Sequence, residues 1–169
     1  MKCPQQKTYI KVLLLAIVLL SQVQSLQKLT KAFAEKIGWP EANYSGYFPI
    51  NSNGNNTKSD PDQMFYWWFP SRRSRENDPL ILWLTGGPGC SGELAIFMEN
   101  GPFKLNRSNL SLYKNEHAWN NQANLIYVDQ PIGVGYSTVG GDDYATNEEQ
   151  VAKNLLEFLS QFLTKYPEF

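Results

Sequence analysis

The chain reads as an α/β protein whose sheet contains parallel strands covered by helices. Three observations carry that reading. Residues 80–84 (Leu-Ile-Leu-Trp-Leu) and 125–128 (Leu-Ile-Tyr-Val) are short, unbroken apolar runs bounded by turn formers, the pattern of strands buried on both faces. A glycine-rich loop, 86–92, follows the first run at once and leads into a helical stretch, 93–99. An amphipathic segment beginning at Thr146 comes after the second run, so the order of elements is β-β-β-α-β-α.

Residues 1–25 come first. Lysines at Lys2, Lys7 and Lys11, an apolar core at 12–20 and the small-residue site Val23-Gln24-Ser25 are the three parts of a secretory signal peptide. The core is too short for a membrane span, which needs roughly 20 apolar residues. Residues 26–169 are therefore expected as the mature chain in the secretory pathway, extracellular or vacuolar and lysosomal, with no membrane attachment after cleavage. Removing three lysines makes the formal net charge, −1 for the whole chain, more negative, so no affinity for nucleic acid is expected.

Residues 26–37 fit a short helix. Two strands at 47–50 and 64–69 flank the polar run 51–62, which makes a hairpin. Residues 71–78, with Arg72, Arg73 and Arg75, read as a charged connector, a solvated turn rather than a binding patch. The strand 80–84 follows, then the helix 93–99, whose Glu93 suits the positive end of a helix dipole. A long Asn- and Ser-rich excursion spans 100–122, and 125–128 is the next strand. In the last helix Thr146 with Glu149 makes a capping box, Val151, Leu155, Phe158, Leu159 and Phe162 mark one face, and Pro167 closes it. A crossover helix ordinarily delivers a further parallel strand. None follows before Phe169, so a domain truncated at its C-terminus is expected, with its sheet open at one edge and the apolar face of the last helix poorly covered.

A strand, a glycine loop and a helix start converging in this way collect uncommitted N–H donors, and so can hold an anion: a phosphate, a carboxylate or the oxyanion of acyl transfer. A Walker A loop is excluded, since no lysine stands near, and the Gly87, Gly89, Gly92 spacing is a lone match to a dinucleotide fingerprint. No cofactor and no metal are expected.

The runs Trp83-Leu84-Thr85-Gly86-Gly87-Pro88-Gly89-Cys90-Ser91, Glu99-Asn100-Gly101-Pro102-Phe103, Trp119-Asn120 and 124–137 (Asn-Leu-Ile-Tyr-Val-Asp-Gln-Pro-Ile-Gly-Val-Gly-Tyr-Ser) resemble the serine carboxypeptidases, most closely the carboxypeptidase III-like branch. The likeness extends from about Tyr44 to Phe169. It implies an α/β-hydrolase fold, here the incomplete N-terminal portion with the nucleophile elbow absent, and a parent reaction that removes the C-terminal residue of a peptide through an acyl-enzyme. By resemblance the Gly87 N–H is an oxyanion donor, Thr85, Gly86 and Glu99 belong to the site for the substrate's C-terminal carboxylate, and Trp83 and Met98 line the substrate pocket. Thr85 stands where the family usually has Asn, and its hydroxyl supplies a single proton, which leaves an acyltransferase using glucose esters as the alternative activity. Gly92 replaces the usual second serine, which is expected to loosen the helix start by roughly 0.5 to 1 kcal/mol. The peptide or protein C-terminus would be the partner of the complete enzyme.

The family's Ser, Asp and His triad lies downstream of this likeness, so none of it is expected here. An in-chain triad from Ser91, His117 and Asp129 has the wrong order for the fold, no Gly-x-Ser-x-Gly is present, and His117 reads as a structural neighbour of Trp119. The chain alone is expected to be inactive; a non-catalytic secreted glycoprotein that keeps the loop as a binding surface is the rival from another class. Cys90 admits two readings, a disulfide half whose partner the resemblance puts downstream, or a small buried hydrophobe. Four sequons, at Asn43, Asn55, Asn106 and Asn109, accord with secretion, with Asn55 in the polar loop the best glycan acceptor.

Overall fold

A computed structural model describes residues 41–51, 61–87, 89–109, 111–141 and 144–169. The signal peptide, the helix expected at 26–37 and the Asn55 sequon lie outside the described residues.

Strands β1 (Tyr44–Ile50) and β2 (Asp62–Phe69) form the expected antiparallel hairpin, in a register that sets Tyr44 opposite Trp68 and Ile50 opposite Asp62. Both start earlier than the apolar pattern marks, because β1 opens with the polar pair Tyr44 and Ser45 and β2 with Asp62 and Gln63. Strand β3 (Leu80–Trp83) is followed by helix α1 (Glu93–Met98), and strand β6 (Asn124–Val128) by helix α2 (Glu148–Lys165). The sheet order is β1-β2-β6-β3, with β6 antiparallel to β2 and parallel to β3. β6 is buried along its whole length, as its apolar run requires, whereas β3 is half-buried throughout. β3 differs because it occupies the edge of the four-stranded sheet.

Alternation along β2 splits the core into two layers. Met64, Tyr66 and Trp68 face one way and join Phe48, Ile50, Ile126 and Val128 against Phe158 and Phe162 of α2, all of them buried. The apolar face of α2 is thus well covered, contrary to expectation; β1 and β2 supply the aromatic surface that its Phe158 meets, with ring centroids 5.5 Å from Phe48 and 5.9 Å from Tyr66. Trp67 and Phe69 point to the opposite face, towards Phe97 of α1, Phe103 and Tyr127. Each fully buried Phe contributes about 1.5 to 3 kcal/mol of transfer free energy, so both layers are substantial.

The α2 cap lies one residue beyond the expected one. Asn147 is the N-cap and accepts the Gln150 amide at 3.0 Å, while the Gln150 side chain turns back to the Thr146 amide at 2.8 Å. Asn outranks or equals Thr as an N-cap, so the cap shifts by one, while the returning side chain, Gln150, engages the residue before it. The excursion 100–122 is more ordered than its composition implies. It holds a second, two-stranded sheet, β4 (Phe103–Leu105) with β5 (Leu112–Lys114), and a 3-10 turn at Trp119–Asn121. Elements three residues long carry too few positions to show a period.

The connector 71–78 is not a solvated turn. Ser71 and Asp78 are buried and bonded to each other. Arg73 pairs with Asp78, and with Ser71 it holds that carboxyl below its ordinary value. Arg72 donates to Glu41, to Asn121 Oδ1 at 2.7 Å, to the Asn115 carbonyl at 2.8 Å and to the Pro102 carbonyl at 3.0 Å. Arg75 lies over the Trp68 ring and pairs with Glu168. Asn124, fully buried, fastens the whole turn to the start of β6, accepting from the Ser71 amide and donating to the Arg75 and Asp78 carbonyls.

Candidate active site

The glycine loop leaves the C-terminal end of β3 and enters α1, at the same end of the sheet where β6 delivers Asp129. Ligands gather at such strand ends in α/β proteins. Gly86 and Gly87 are exposed, and among the described residues no acceptor takes their amide protons. Thr85, by contrast, is buried, and its Oγ1 has no hydrogen-bond partner. A buried unpaired hydroxyl costs free energy that a ligand accepting from it can recover.

Two further buried donors in this neighbourhood lack partners, Trp83 Nε1 and Asn100 Nδ2. Asn100 Oδ1 accepts from the Tyr127 hydroxyl at 3.2 Å, and the Asn100 carbonyl accepts the Trp119 amide at 3.0 Å. Trp119 in turn meets Trp83 edge to face at 5.2 Å between centroids. Glu99 caps the C-terminal end of α1, and Lys104 Nζ donates to its carbonyl at 2.7 Å. Burial first, and then the Glu99 charge, raise the Tyr127 phenol, which sets Glu99 beside the same cluster. Met98 is exposed on α1. Trp83, Thr85, Gly86, Gly87, Met98 and Glu99 therefore all lie in the one segment that runs from the end of β3 to the C-cap of α1.

The start of α1 is anchored rather than loosened. The buried Gly92 amide donates to Asp129 Oδ1 at 2.7 Å, and a Cβ on Gly92 would stand only 3.2 Å from the Tyr127 Cβ, so glycine here permits close approach to β6. Asp129 is fully buried, and its Oδ2 accepts the Tyr136 amide, also at 2.7 Å. Gly135 adopts φ +55°, and a side chain there would collide with the Asp129 carboxylate. Ser137 Oγ closes the loop, donating to the Asp129 carbonyl at 2.6 Å and accepting the Phe65 amide at 2.8 Å. Glu93, half-buried in the first turn of α1, accepts from Ser91 Oγ; burial, and then the Asp129 charge, push its carboxyl up to about 7.

Among the described residues Ser91, His117 and Asp129 are not joined to one another. Both Asp129 oxygens are taken by backbone amides, Ser91 is bonded to Glu93, and His117 is exposed with its amide on Asn115. Cys90 is an exposed free thiol, which rules out the buried-hydrophobe reading: the loop faces solvent at that point. Asn43 is half-buried with both amide atoms engaged, donating to the Glu41 carbonyl and accepting from Trp67 Nε1 at 3.1 Å each. Asn106 and Asn109 use only their oxygens among the described bonds, and Asn109 is exposed. Sequence reasoning missed Asn100, Glu93 and the anchoring role of Asp129. An Asp ending a fully apolar strand ahead of Gly133 and Gly135 was the available signal for the last.

Residues 35–169 match the family model described as serine carboxypeptidase. The chain is 47% identical over 131 residues to serine carboxypeptidase S10 family member 1 of Dictyostelium discoideum, covering 77% of this chain and 30% of that protein. It is 43% identical over 127 residues to serine carboxypeptidase-like 47 of Arabidopsis thaliana, covering 75% of this chain and 24% of that protein. Among solved structures it is similar to Kex1(delta)p, a prohormone-processing carboxypeptidase from Saccharomyces cerevisiae, with TM-score 0.64 and 31% identity over 76% of this chain and 29% of that one. The mixed sheet with helices on both faces is accordingly part of an α/β-hydrolase fold. The chain spans less than a third of the length of each of these relatives.

Proposed function

Since the chain belongs to the serine carboxypeptidase family, we propose that it supplies the anion-binding half of a serine exopeptidase site, which holds a peptide's C-terminal carboxylate and the oxyanion formed at its last peptide bond. The observation that carries this reading is the buried, unpartnered Thr85 hydroxyl beside the uncommitted Gly86 and Gly87 amides. In the complete enzyme a serine oxygen attacks the scissile carbonyl, the Gly87 N–H donates to the developing oxyanion, and the C-terminal amino acid leaves to give an acyl-enzyme that water hydrolyses. Thr85 Oγ1, the Gly86 amide and Asn100 Nδ2 are donors suited to the carboxylate, Glu99 is a further carboxyl of that site, and Trp83 and Met98 offer apolar surface to the departing side chain.

On this reading the triad lies in the part of the complete enzyme beyond this likeness, and the chain alone is inactive. Passage through the secretory pathway, with a cleaved segment 1–25, is part of the same proposal. The test compares residues 26–169 with any longer product read in frame from the natural transcript, on a blocked dipeptide. Release of the C-terminal amino acid by the longer protein only, abolished by a serine-directed reagent, supports the reading; release by residues 26–169 alone overturns the expected inactivity. Thr85, with one donor proton where an amide would offer two, favours as second reading an acyltransferase using sugar esters. Product analysis with an ester donor and an alcohol acceptor separates the two.

A further inference from the structure

We propose that Tyr127 is a positioning residue: its hydroxyl holds the Asn100 side-chain amide with the oxygen turned inward, which leaves both Nδ2 protons for the substrate's C-terminal carboxylate. The inference rests on the reading of this cluster as a carboxylate site, and it returns to the site the two-proton donor that Thr85 does not supply.

Tyr127 lies against α1 and reaches both of its ends. At the first turn a Cβ on Gly92 would stand 3.2 Å from the Tyr127 Cβ; at the other end the Tyr127 hydroxyl meets Asn100 Oδ1 at 3.2 Å, one residue past the Glu99 C-cap. Tyr127 is buried, on a strand buried at every position, so the hydroxyl has a fixed place. The Asn100 backbone is clamped as well. Its carbonyl accepts the Trp119 amide at 3.0 Å, and the next residue, Gly101, packs so closely on α1 that a Cβ would collide with the Ile96 carbonyl. Trp83 is the in-register neighbour of Tyr127 on β3, and its ring meets that of Trp119. Tyr127, Asn100, Trp119 and Trp83 thus form one cluster, and Trp83 stands two residues before Thr85.

An amide can meet a phenol either way round. With Nδ2 on the phenol oxygen, the amide oxygen would lack a donor and the phenol proton an acceptor. With Oδ1 on the phenol proton, only Nδ2 is unpaired, and Nδ2 is the buried Asn100 atom that has no partner among the described residues. That arrangement costs free energy until an acceptor arrives, and a carboxylate has the lone pairs to take both protons. The other buried unpaired groups nearby, Trp83 Nε1 and Thr85 Oγ1, can donate too, which suits an anion. Without the phenol the amide is free to turn over and set its oxygen against the carboxylate.

The test is NMR on the isotopically labelled chain, following the Asn100 side-chain NH2 and the Gly86 and Gly87 amides as N-acetylphenylalanine, or its uncharged amide as control, is added. In the wild type all three signals should move with the carboxylate and none with the control. Asn100→Ala should weaken binding roughly 10- to 150-fold and Tyr127→Phe by a smaller factor. The double variant should be no weaker than Asn100→Ala alone, because Tyr127 acts through Asn100. The Trp119 amide, bound to the Asn100 backbone carbonyl in every variant, reports whether the cluster keeps its place. A Trp119 amide displaced in Tyr127→Phe, or losses that multiply in the double variant, would make Tyr127 a packing residue and overturn the inference. So would an Asn100 NH2 that stays still while Gly86 and Gly87 respond, an outcome that leaves the carboxylate site standing. Coupled losses together with a longer product that releases no C-terminal residue sink the carboxypeptidase reading and leave the positioning in place. Silence at all three signals overturns both.

Discussion

The Gly92 amide donates to the buried Asp129 Oδ1 at 2.7 Å, and this one bond ties the first turn of α1 to the end of β6. The second oxygen does the same for Tyr136. Asp129→Ala strands the buried Gly92 amide and the part-buried Tyr136 amide at once, and at about 1 to 3 kcal/mol for the first and less for the second the chain should lose roughly 1 to 4 kcal/mol. Asp129→Asn keeps one acceptor oxygen and sets an N–H against the other donor, so its loss should be smaller. Urea unfolding of the two variants beside the wild type checks the order; an Asn variant as damaged as the Ala variant would contradict it.

Stability should fall as pH rises from about 4.5 towards 7. The Glu93 carboxyl is raised from an ordinary 4.5 to about 7, chiefly by burial and then by Asp129, so the folded chain binds its proton more tightly than the unfolded chain does. Its contribution is complete below the unfolded value and is lost as pH rises through the folded one. Asp78 and Glu168 act oppositely: Arg73 and Arg75 respectively hold them below their ordinary values, and that stability is lost in acid. Thermal midpoints across pH should therefore pass through a maximum on the acid side of neutrality, and Glu93→Gln should flatten only the upper limb.

Arg72 joins Glu41, Pro102, Asn115 and Asn121 through one planar fork. A lysine can reach one of these partners at a time and leaves half-buried acceptors unpaired. Arg72→Lys should cost about 2 to 4 kcal/mol, close to Arg72→Ala. A lysine variant within about 1 kcal/mol of wild type would show that charge rather than fork geometry is what matters here.

Length and period account for what could be read in advance. The apolar runs of β3 and β6 and the long face of α2 carry a fold-scale signal, and Leu80, Leu125 and Phe158 sit in the elements they predict. Arg72 and Asn124 could not be placed that way: their partners lie 30 to 53 residues away, and polar residues look alike in a solvated turn and in a buried clamp until the fold closes. The same holds for Asp129, whose role is set by amides that come near only when the 129–137 loop folds back. The Gly86 and Gly87 amides were legible as donors because they belong to the loop itself, whereas Thr85 was named only through the family resemblance.

The Asn43 and Asn109 sequons differ in how far the fold engages them. Asn43 has its amide nitrogen on the Glu41 carbonyl and its oxygen on the Trp67 indole, whereas Asn109 is exposed. If the chain is expressed through a secretory pathway, glycopeptide mass spectrometry should find Asn43 bare and Asn109 modified. Occupancy at Asn43 would require modification before β1 pairs with β2.

Thr85 allows binding to be separated from folding. Its Oγ1 is buried and bonded to nothing, so the isosteric Thr85→Val removes no internal hydrogen bond and should leave the unfolding midpoint unchanged or slightly raised. If the hydroxyl donates to a substrate carboxylate, the same change removes one charge-assisted bond, about 1.5 to 3 kcal/mol, and kcat/KM for a peptide in the complete enzyme should fall roughly 10- to 150-fold. Thr85→Asn, with two donor protons, should raise it. Esters that lack the free carboxylate should be insensitive to either change. Equal losses on peptide and ester would place the hydroxyl in general packing of the loop instead, and a stability loss in Thr85→Val would mean that it has a partner within the fold.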